Sequence, residues 1–429
     1  MASWKKASAV AGVVLLLAGC SRAATGGPGG EDTGAAPAGG KTITVGLLNP
    51  TTGVFAALGS DTNAGFQMYL DEHDGTLAGW RIQAVTEDDA GDPTTGATKA
   101  RKLVEQDEVD VLIGGVSSAV ANGIANFVAD SGVPYLITIA GADPLTQSGH
   151  KPNIFRISYT GSQPMYPLGE YTCKELGYRT ASVVSLDFAF GWETAGGFAR
   201  TYEDAGCTVE QEIYVPLATE NYAPFVQQIS RDTDVVIHIN SGQAGNLFWQ
   251  TYRDFGYQQP VVGHGAITDE FLLESVEDWQ VGAKTVFYWS RALDTPENEQ
   301  FVRDYEERSG KLVSQGAEAG YAAAQTLEAA LEAAGDRGDD PAALIEALGD
   351  VEVQAPRGAI RFDEYNQAVM DFYLRETREV DEDPLGNPNV TKSNVVVHTF
   401  PEVSQFWTFD PDEYLKFPPY EQLKGSWAK

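Results

Sequence analysis

The sequence predicts an α/β protein of two lobes, each built on a doubly wound, mostly parallel sheet with helices on both faces. Three observations lead there. Short apolar runs alternate with helix-patterned segments from Lys41 onward, as strands joined by crossover helices do. The alternation restarts in a second block near Met165. The roughly 390 residues after the N-terminal segment exceed what one hydrophobic core usually serves.

In the first block, residues 43–48, 80–86, 109–113 and 134–139 are strand-like. Helices are expected from Ala57, from Pro93-Thr94, and over 119–130. In the second block, strands are expected at 181–186, 208–214, 235–239 and 261–263. Helical stretches at 165–176, 193–205, 222–229 and 244–255 each precede one of them. A strand at 285–289 follows, then helices at 297–307 and 316–334 and one opened by Asp340-Pro341. The tail changes period: 357–362, 367–376, 394–399 and 403–408 alternate as strands do. Residues 377–392 are acidic, contain Pro384 and Pro388, and are expected to form an exposed loop. The last residues, with Pro418-Pro419, suggest an irregular strap over the surface.

The N-terminus carries a separate message. Lys5 and Lys6 precede an apolar run over 7–19 that ends Leu17-Ala18-Gly19-Cys20. Spanning a bilayer takes about 20 apolar residues, so this shorter run reads as an export signal. It looks like a lipoprotein signal, cut just before Cys20, which becomes the acylated first residue. Each buried CH₂ of an acyl chain adds about 0.8 kcal/mol of membrane affinity. Residues 21–40 are rich in Gly, Ala, Pro and Thr, too poor in apolar bulk to fold, and read as a flexible tether. The expectation is an exported protein, lipid-anchored on the extracytoplasmic face of the membrane.

Composition narrows the function. With 61 acidic against 29 basic residues and a formal net charge of −32, the chain lacks the positive footprint of nucleic-acid binding. The acidity is spread along the chain and reads as solubility. Beyond Cys20 there are two cysteines, Cys173 and Cys207. In an exported chain an even pair on neighbouring elements suggests a structural disulfide. Their spacing is not that of a redox C-x-x-C pair. No metal or cofactor is expected. The sequence has no G-x-S-x-G elbow and no H-E-x-x-H motif, so an anchored hydrolase is a remote alternative and no enzyme activity is expected.

Ligands of open α/β sheets sit beyond the carboxyl ends of the strands. In the first block those loops cover 51–59, with Thr52 and Phe55, then 114–118 and 138–143. Ser117 and Ser118 lie where a strand gives way to a helix, whose first backbone N–H groups lack partners and suit a carboxylate. Two readings stand for the serines: helix caps, or one cap and one ligand contact. In the second block the loops are 187–192, 240–243 and 264–267. Phe188, Phe190 and Trp192 there either wall a pocket or pack beneath a loop. His264, alone between glycines, suits a hydrogen-bonding wall residue better than a metal ligand. Tyr288 and Trp289 end a later strand and are placed near a hinge, with burial in the core as the alternative.

Taken in order, Val45-Gly46-Leu47-Leu48 with Thr52-Gly53, Ile113-Gly114-Gly115 leading to Ser117-Ser118, and 138–144 resemble the type I periplasmic binding proteins of the branched-chain amino acid and amide class. Phe190-Gly191, Tyr222 with Phe225, Asp234-Val235-Val236 and Gly320-Tyr321-Ala322-Ala323 extend the resemblance over about 41–407. It implies two lobes joined by three crossing segments. One lobe would span 41–157 and 285–350, the other 158–284 and 351–429. It further implies a monomeric receptor that delivers a small molecule to an ABC permease by lobe closure, or a sensor of the same fold acting on a signalling partner. The residues it assigns to the ligand are Ser117, Ser118, Thr138, Gly141 and Ala142 from the first lobe, closed over by Phe190, Ser241 and His264 from the second. Amino-acid-binding members place a serine or threonine near Ala142 and an acidic second-lobe group on the ammonium. This chain has Ala140-Gly141-Ala142, and beyond His264 its first acid is the more distant Asp269. The tail run Ser404-Gln405-Phe406-Trp407 looks like a subgroup linked to aromatic or other organic acids. An aromatic carboxylate is therefore favoured, with a branched-chain amino acid kept open.

Overall fold

The computed structural model describes residues 41–240, 243–273 and 278–426. Cys20 and Ser241 lie outside the described residues. The first sheet contains β1 (Thr42–Leu48), β2 (Thr76–Leu77), β3 (Trp80–Glu87), β4 (Val111–Gly114), β5 (Tyr135–Ile137) and β6 (Ile154–Arg156). Their spatial order is β2-β3-β1-β4-β5-β6, parallel except for the β2–β3 hairpin. β4, β5 and β6 are buried at every position. That is why β4 and β5 read as unbroken apolar runs, as interior parallel strands do. The three-residue β6 was not among the expected strands.

The second sheet contains β7 (Thr180–Leu186), β8 (Thr208–Val215), β9 (Val235–Ile239), β10 (Val261–His264), β11 (Lys284–Phe287), β12 (Glu352–Ala355), β13 (Gly358–Phe362), β14 (Ala368–Glu379) and β15 (Lys392–Val403). β8-β7-β9-β10-β11 run parallel, and the tail strands extend this core antiparallel through β14. β15 pairs with β14 from Glu379↔Lys392 to Met370↔Val403. The second lobe is thus mixed where the sequence suggested a mostly parallel sheet.

Three further expectations shift. Residues 285–289, assigned by the sequence to the return into the first lobe, begin with β11, which is hydrogen-bonded within the second sheet. Of the expected strand 403–408, only Val403 is strand, as the end of β15; turns follow it, with Phe406 buried. The expected helix at 222–229 is the single turn Ala223–Val226.

The helices Pro296–Ser309, Gln315–Ala334 and Pro341–Asp350 follow β11. Gln315–Ala334 lies against Ala56–Glu72 of the first lobe at backbone distance. A Cβ on Gly65 would come 1.9 Å from the Ala317 carbonyl oxygen, and one on Gly320 1.9 Å from that of Thr62. The chain therefore passes between the lobes after β6, after β11 and before β12. Arg357 gathers all three passages. It donates to the Ile157 carbonyl at 2.9 Å and to Glu318 Oε1 at 2.7 Å, pairs Nη2 with Glu318 Oε2, and lies 4.2 Å over the Tyr288 ring. Both charged side chains are fully buried. In the second lobe Cys173 and Cys207 are joined in a disulfide, Cα–Cα 5.9 Å.

Candidate functional site

β4 ends at Gly114 (φ 138°) and Gly115 (φ 84°) follows it, both in conformations that side chains rarely adopt. A Cβ on Gly115 would also lie 2.3 Å from the Tyr135 hydroxyl. This tight turn delivers Ser117 in extended conformation to the start of the helix Ser118–Ser131. The Ser117 side chain makes no capping hydrogen bond. The capping reading of Ser117 therefore gives way. Ser117 and Ser118, at the helix end whose first N–H groups lack intrahelical partners, line a small cavity, ≈ 40 Å³, between the lobes.

Phe55, Leu58, Val116, Ser117, Ser118, Ile139 and Gly141 supply the first-lobe wall. Leu58, Val116 and Ile139 form an apolar cluster with Ala319, against which Phe55 packs. Phe188, Phe190 and Ala266 face them from the second lobe. Phe188 and Phe190 were expected in a loop. The helix instead begins at Ala189, with Phe188 its extended N-cap and Phe190 in its first turn. Their rings are 6.0 Å apart. Behind Phe190 the aromatic wall continues through His264 at 5.2 Å, and from His264 to Tyr159 at 5.0 Å.

His264 is buried and accepts from the Ala266 N–H through Nδ1 at 3.3 Å. Burial, and then the Arg375 charge, hold its pKa down to about 3, so the ring is neutral. It supports the wall from behind and is not among the residues lining the cavity. The same holds for four other expected ligand residues. Thr52 is exposed and donates its hydroxyl to Asp88 at 2.7 Å. Thr138 is fully buried. The Ala142 carbonyl accepts from Arg156 at 2.7 Å. Trp289 is buried with its indole N–H on Asn298 at 2.7 Å.

The structure adds residues that the sequence did not bring forward. Tyr159 lines the cavity from the first crossing segment, and Gln315 lines it as the first residue of the helix Gln315–Ala334. Tyr159 follows β6, a strand too short to stand out, and Gln315 follows Ser314, whose hydroxyl caps that helix by accepting from Ala317 N–H. Asp269 was noted only as distant. It is 1% exposed, and its carboxyl lies by Gln315 and in the field of Tyr159. Burial, and then repulsion by Glu270, push its pKa up to about 8. The loop that carries it is fixed from the tail. Arg375 on β14 donates to the Gly265 carbonyl at 2.9 Å, to the Trp289 carbonyl at 2.9 Å, and to Glu270 at 3.3 Å.

The site is thus an apolar, ring-lined slot with few polar groups: two hydroxyls at a helix N-terminus, the Gln315 amide, and a buried carboxyl behind it. Such a slot orients a small amphipathic molecule and desolvates most of it.

Known proteins are similar to this chain in sequence and fold. The chain is 27% identical over 360 residues to the Leu/Ile/Val-binding protein homolog 6 of Brucella abortus, covering 81% of this chain and 90% of that one. A solute-binding protein of an ABC transporter from R. palustris, solved in complex with benzoate, superposes with a TM-score of 0.76 at 28% identity, covering 85% of this chain and 97% of that one. Another, from Rhodopseudomonas palustris BisB5 and in complex with 3,4-dihydroxy benzoic acid, gives a TM-score of 0.79 at 28% identity, over 85% and 98%. The family profile described as "Periplasmic binding protein" matches residues 42–382, from β1 to just past β14, and with two lobes closing on a slot between them the chain belongs to the periplasmic binding protein family.

Proposed function

We propose that this chain is the exported solute receptor of an ABC importer, that it captures a small carboxylate between its lobes, and that it presents the closed form to a membrane permease. The observation that carries this reading is the meeting of the Ser117–Ser118 helix start with the Phe188–Phe190–Tyr159 wall across one cavity. The helix end supplies donors for a carboxylate, and the rings supply area for an apolar body. Ligand favours closure by binding the closed form better than the open one. No chemical step is part of this cycle. Acylated Cys20 and the tether that follows would hold the receptor, as a monomer, at the outer face of the membrane. Replacing Cys20 with Ser should release the protein from the membrane fraction.

An aromatic acid is the favoured ligand, in line with the benzoate and 3,4-dihydroxy benzoic acid seen in the two related receptors. A cavity of about 150 Å³ holds one benzene, whereas the slot here is ≈ 40 Å³. Admitting a ring therefore requires the lobes to part or the half-buried Phe55 and Phe188 to swing outward. A second reading, a branched-chain amino acid, is supported by one observation: the buried Asp269 carboxyl beside Gln315, an acidic group of the kind an ammonium would require.

The test is a thermal-melting screen of refolded protein starting at Lys41 against aromatic acids, amino acids, amides and aliphatic carboxylates. A saturable rise reports binding to the folded state. A rise with benzoate-like acids and none with leucine or valine supports the first reading; the opposite pattern supports the second. No rise with any carboxylate overturns both.

A further inference from the structure

A second cavity, ≈ 270 Å³, lies beneath the C-terminal strap and shares no lining residue with the cleft. Its walls come from three places: Asp143 and Gln147 after β5, Glu193 and Arg200 on the helix Ala189–Asp204, and Tyr414 and Tyr420 of the strap. The strap is seated by a missing side chain, since a Cβ on Gly196 would fall 2.0 Å from the Tyr420 ring.

Arg200 is the unusual group. It is 8% exposed. Its guanidinium carbon lies 4.5 Å from the ring centroid of Phe417, 5.1 Å from those of Tyr414 and Tyr420, and 5.5 Å from that of Phe409. Those faces stabilise the cation, but they accept none of its in-plane N–H bonds. Nη1 is buried without a hydrogen-bond partner among the described residues, and so is Asp143 Oδ2. A charged donor left unmet in the interior is costly, so an acceptor from outside the chain completes this site better than any residue now present. Asp143 and Glu193 are linked through the Asp143 N–H, 2.9 Å from Glu193 Oε2, and burial raises the pKa of both carboxyls above the usual carboxylate range, which weakens their opposition to an anion. Pro144, Leu415 and Pro419 give the rest of the cavity an apolar lining. The volume exceeds the about 150 Å³ that holds a benzene ring.

We propose that this cavity is a second ligand site, taking a small organic carboxylate whose charged end bonds Arg200 Nη1 and whose apolar body rests against the prolines. Asp143 and Gln147 belong to the first lobe, Glu193 and Arg200 to the second. Occupancy therefore favours the arrangement in which they meet, and coupling to the cleft is reciprocal.

The experiment is a ¹⁹F NMR titration of the full chain in detergent with 4-fluorobenzoate. Three proteins are compared: wild type, Arg200→Met, and Ser148→Trp, which fills the cavity from an exposed rim position. The expected result is a saturable bound signal in wild type that Arg200→Met weakens about tenfold or more, the worth of a hydrogen bond to a charged group, and that Ser148→Trp removes. Any signal from the cleft persists in both variants. Should Arg200→Met fail to fold, as judged by circular dichroism, Ser148→Trp decides alone. Wild type without saturable binding, or with only signals that the folded variants retain, overturns the proposal.

Discussion

Replacing Glu318 with Gln should cost this protein about 3 kcal/mol, and the structure shows why. Glu318 and Arg357 are both fully buried, and Glu318 meets Arg357 with both carboxylate oxygens. The variant keeps the shape but removes the negative charge, so a guanidinium is left in the interior with the Ile157 carbonyl, one amide oxygen and the Tyr288 ring face. Breaking a buried pair from one side costs about 3–5 kcal/mol. The retained acceptors put this case at the lower end. With a urea m-value of about 3 kcal/mol/M or more for a body of this size, the unfolding midpoint should fall by up to ~1 M. Replacing both partners, Glu318→Leu with Arg357→Met, should recover most of the loss, because no charge is then stranded. A midpoint within ~0.2 M of wild type for Glu318→Gln, or a double variant weaker than the single one, would refute the reasoning.

Three further outcomes are expected. Reducing the disulfide, or replacing Cys173 and Cys207 with Ser, should cost about 4 kcal/mol on the chain-entropy estimate for a sequence separation of 34; it should leave ligand affinity unchanged, and urea unfolding with and without reductant reads the first part directly. Asp269 should make stability fall as pH rises: between its ordinary value of 3.8 and about 8 the folded state holds a proton that the unfolded state releases, so the slope is negative there and flat above. Asp269→Asn removes this dependence, and a melting difference between variant and wild type that stays constant from pH 5 to pH 9 would count against it. The same group discriminates ligands, since affinity for an ammonium-bearing carboxylate should rise toward pH 8 while affinity for a simple aromatic acid should fall. Gly320→Ala drives a methyl into the Thr62 carbonyl and should cost about 1–3 kcal/mol by overpacking; it should also weaken cleft binding, because Gln315 on the same helix lines the slot.

Much of the architecture was legible because burial writes itself into composition. β4 and β9, apolar but for His238, are buried along their whole length, and the segments capped by Asp92-Pro93 and Asp340-Pro341 begin helices where those pairs stand. The loops beyond β4 and β5 could be placed for the same reason, and with them Ser117, Ser118 and Gly141. What could not be read depends on contacts between distant segments. Tyr159 and Gln315 reach the slot only because the crossing segments bring them together. Arg357, in the turn between β12 and β13, and Arg375, in β14, belong to segments whose alternation suggests a half-exposed sheet, yet both are buried, on acids and carbonyls far away in sequence. His264, expected from its loop, and Trp289, expected from the end of its strand, do not line the slot: His264 packs edge-on against Phe190, and Trp289 is held in the interior on Asn298.

The long pairing of β14 with β15 has a practical consequence for anyone making this protein. The family match stops at residue 382, inside the turn between those strands, so a recombinant chain trimmed to it would lose β15 and the strap together. β14 would then present most of its length as an open edge, a template for pairing with other chains. Such a product should aggregate, and its failure would say nothing about the ligand.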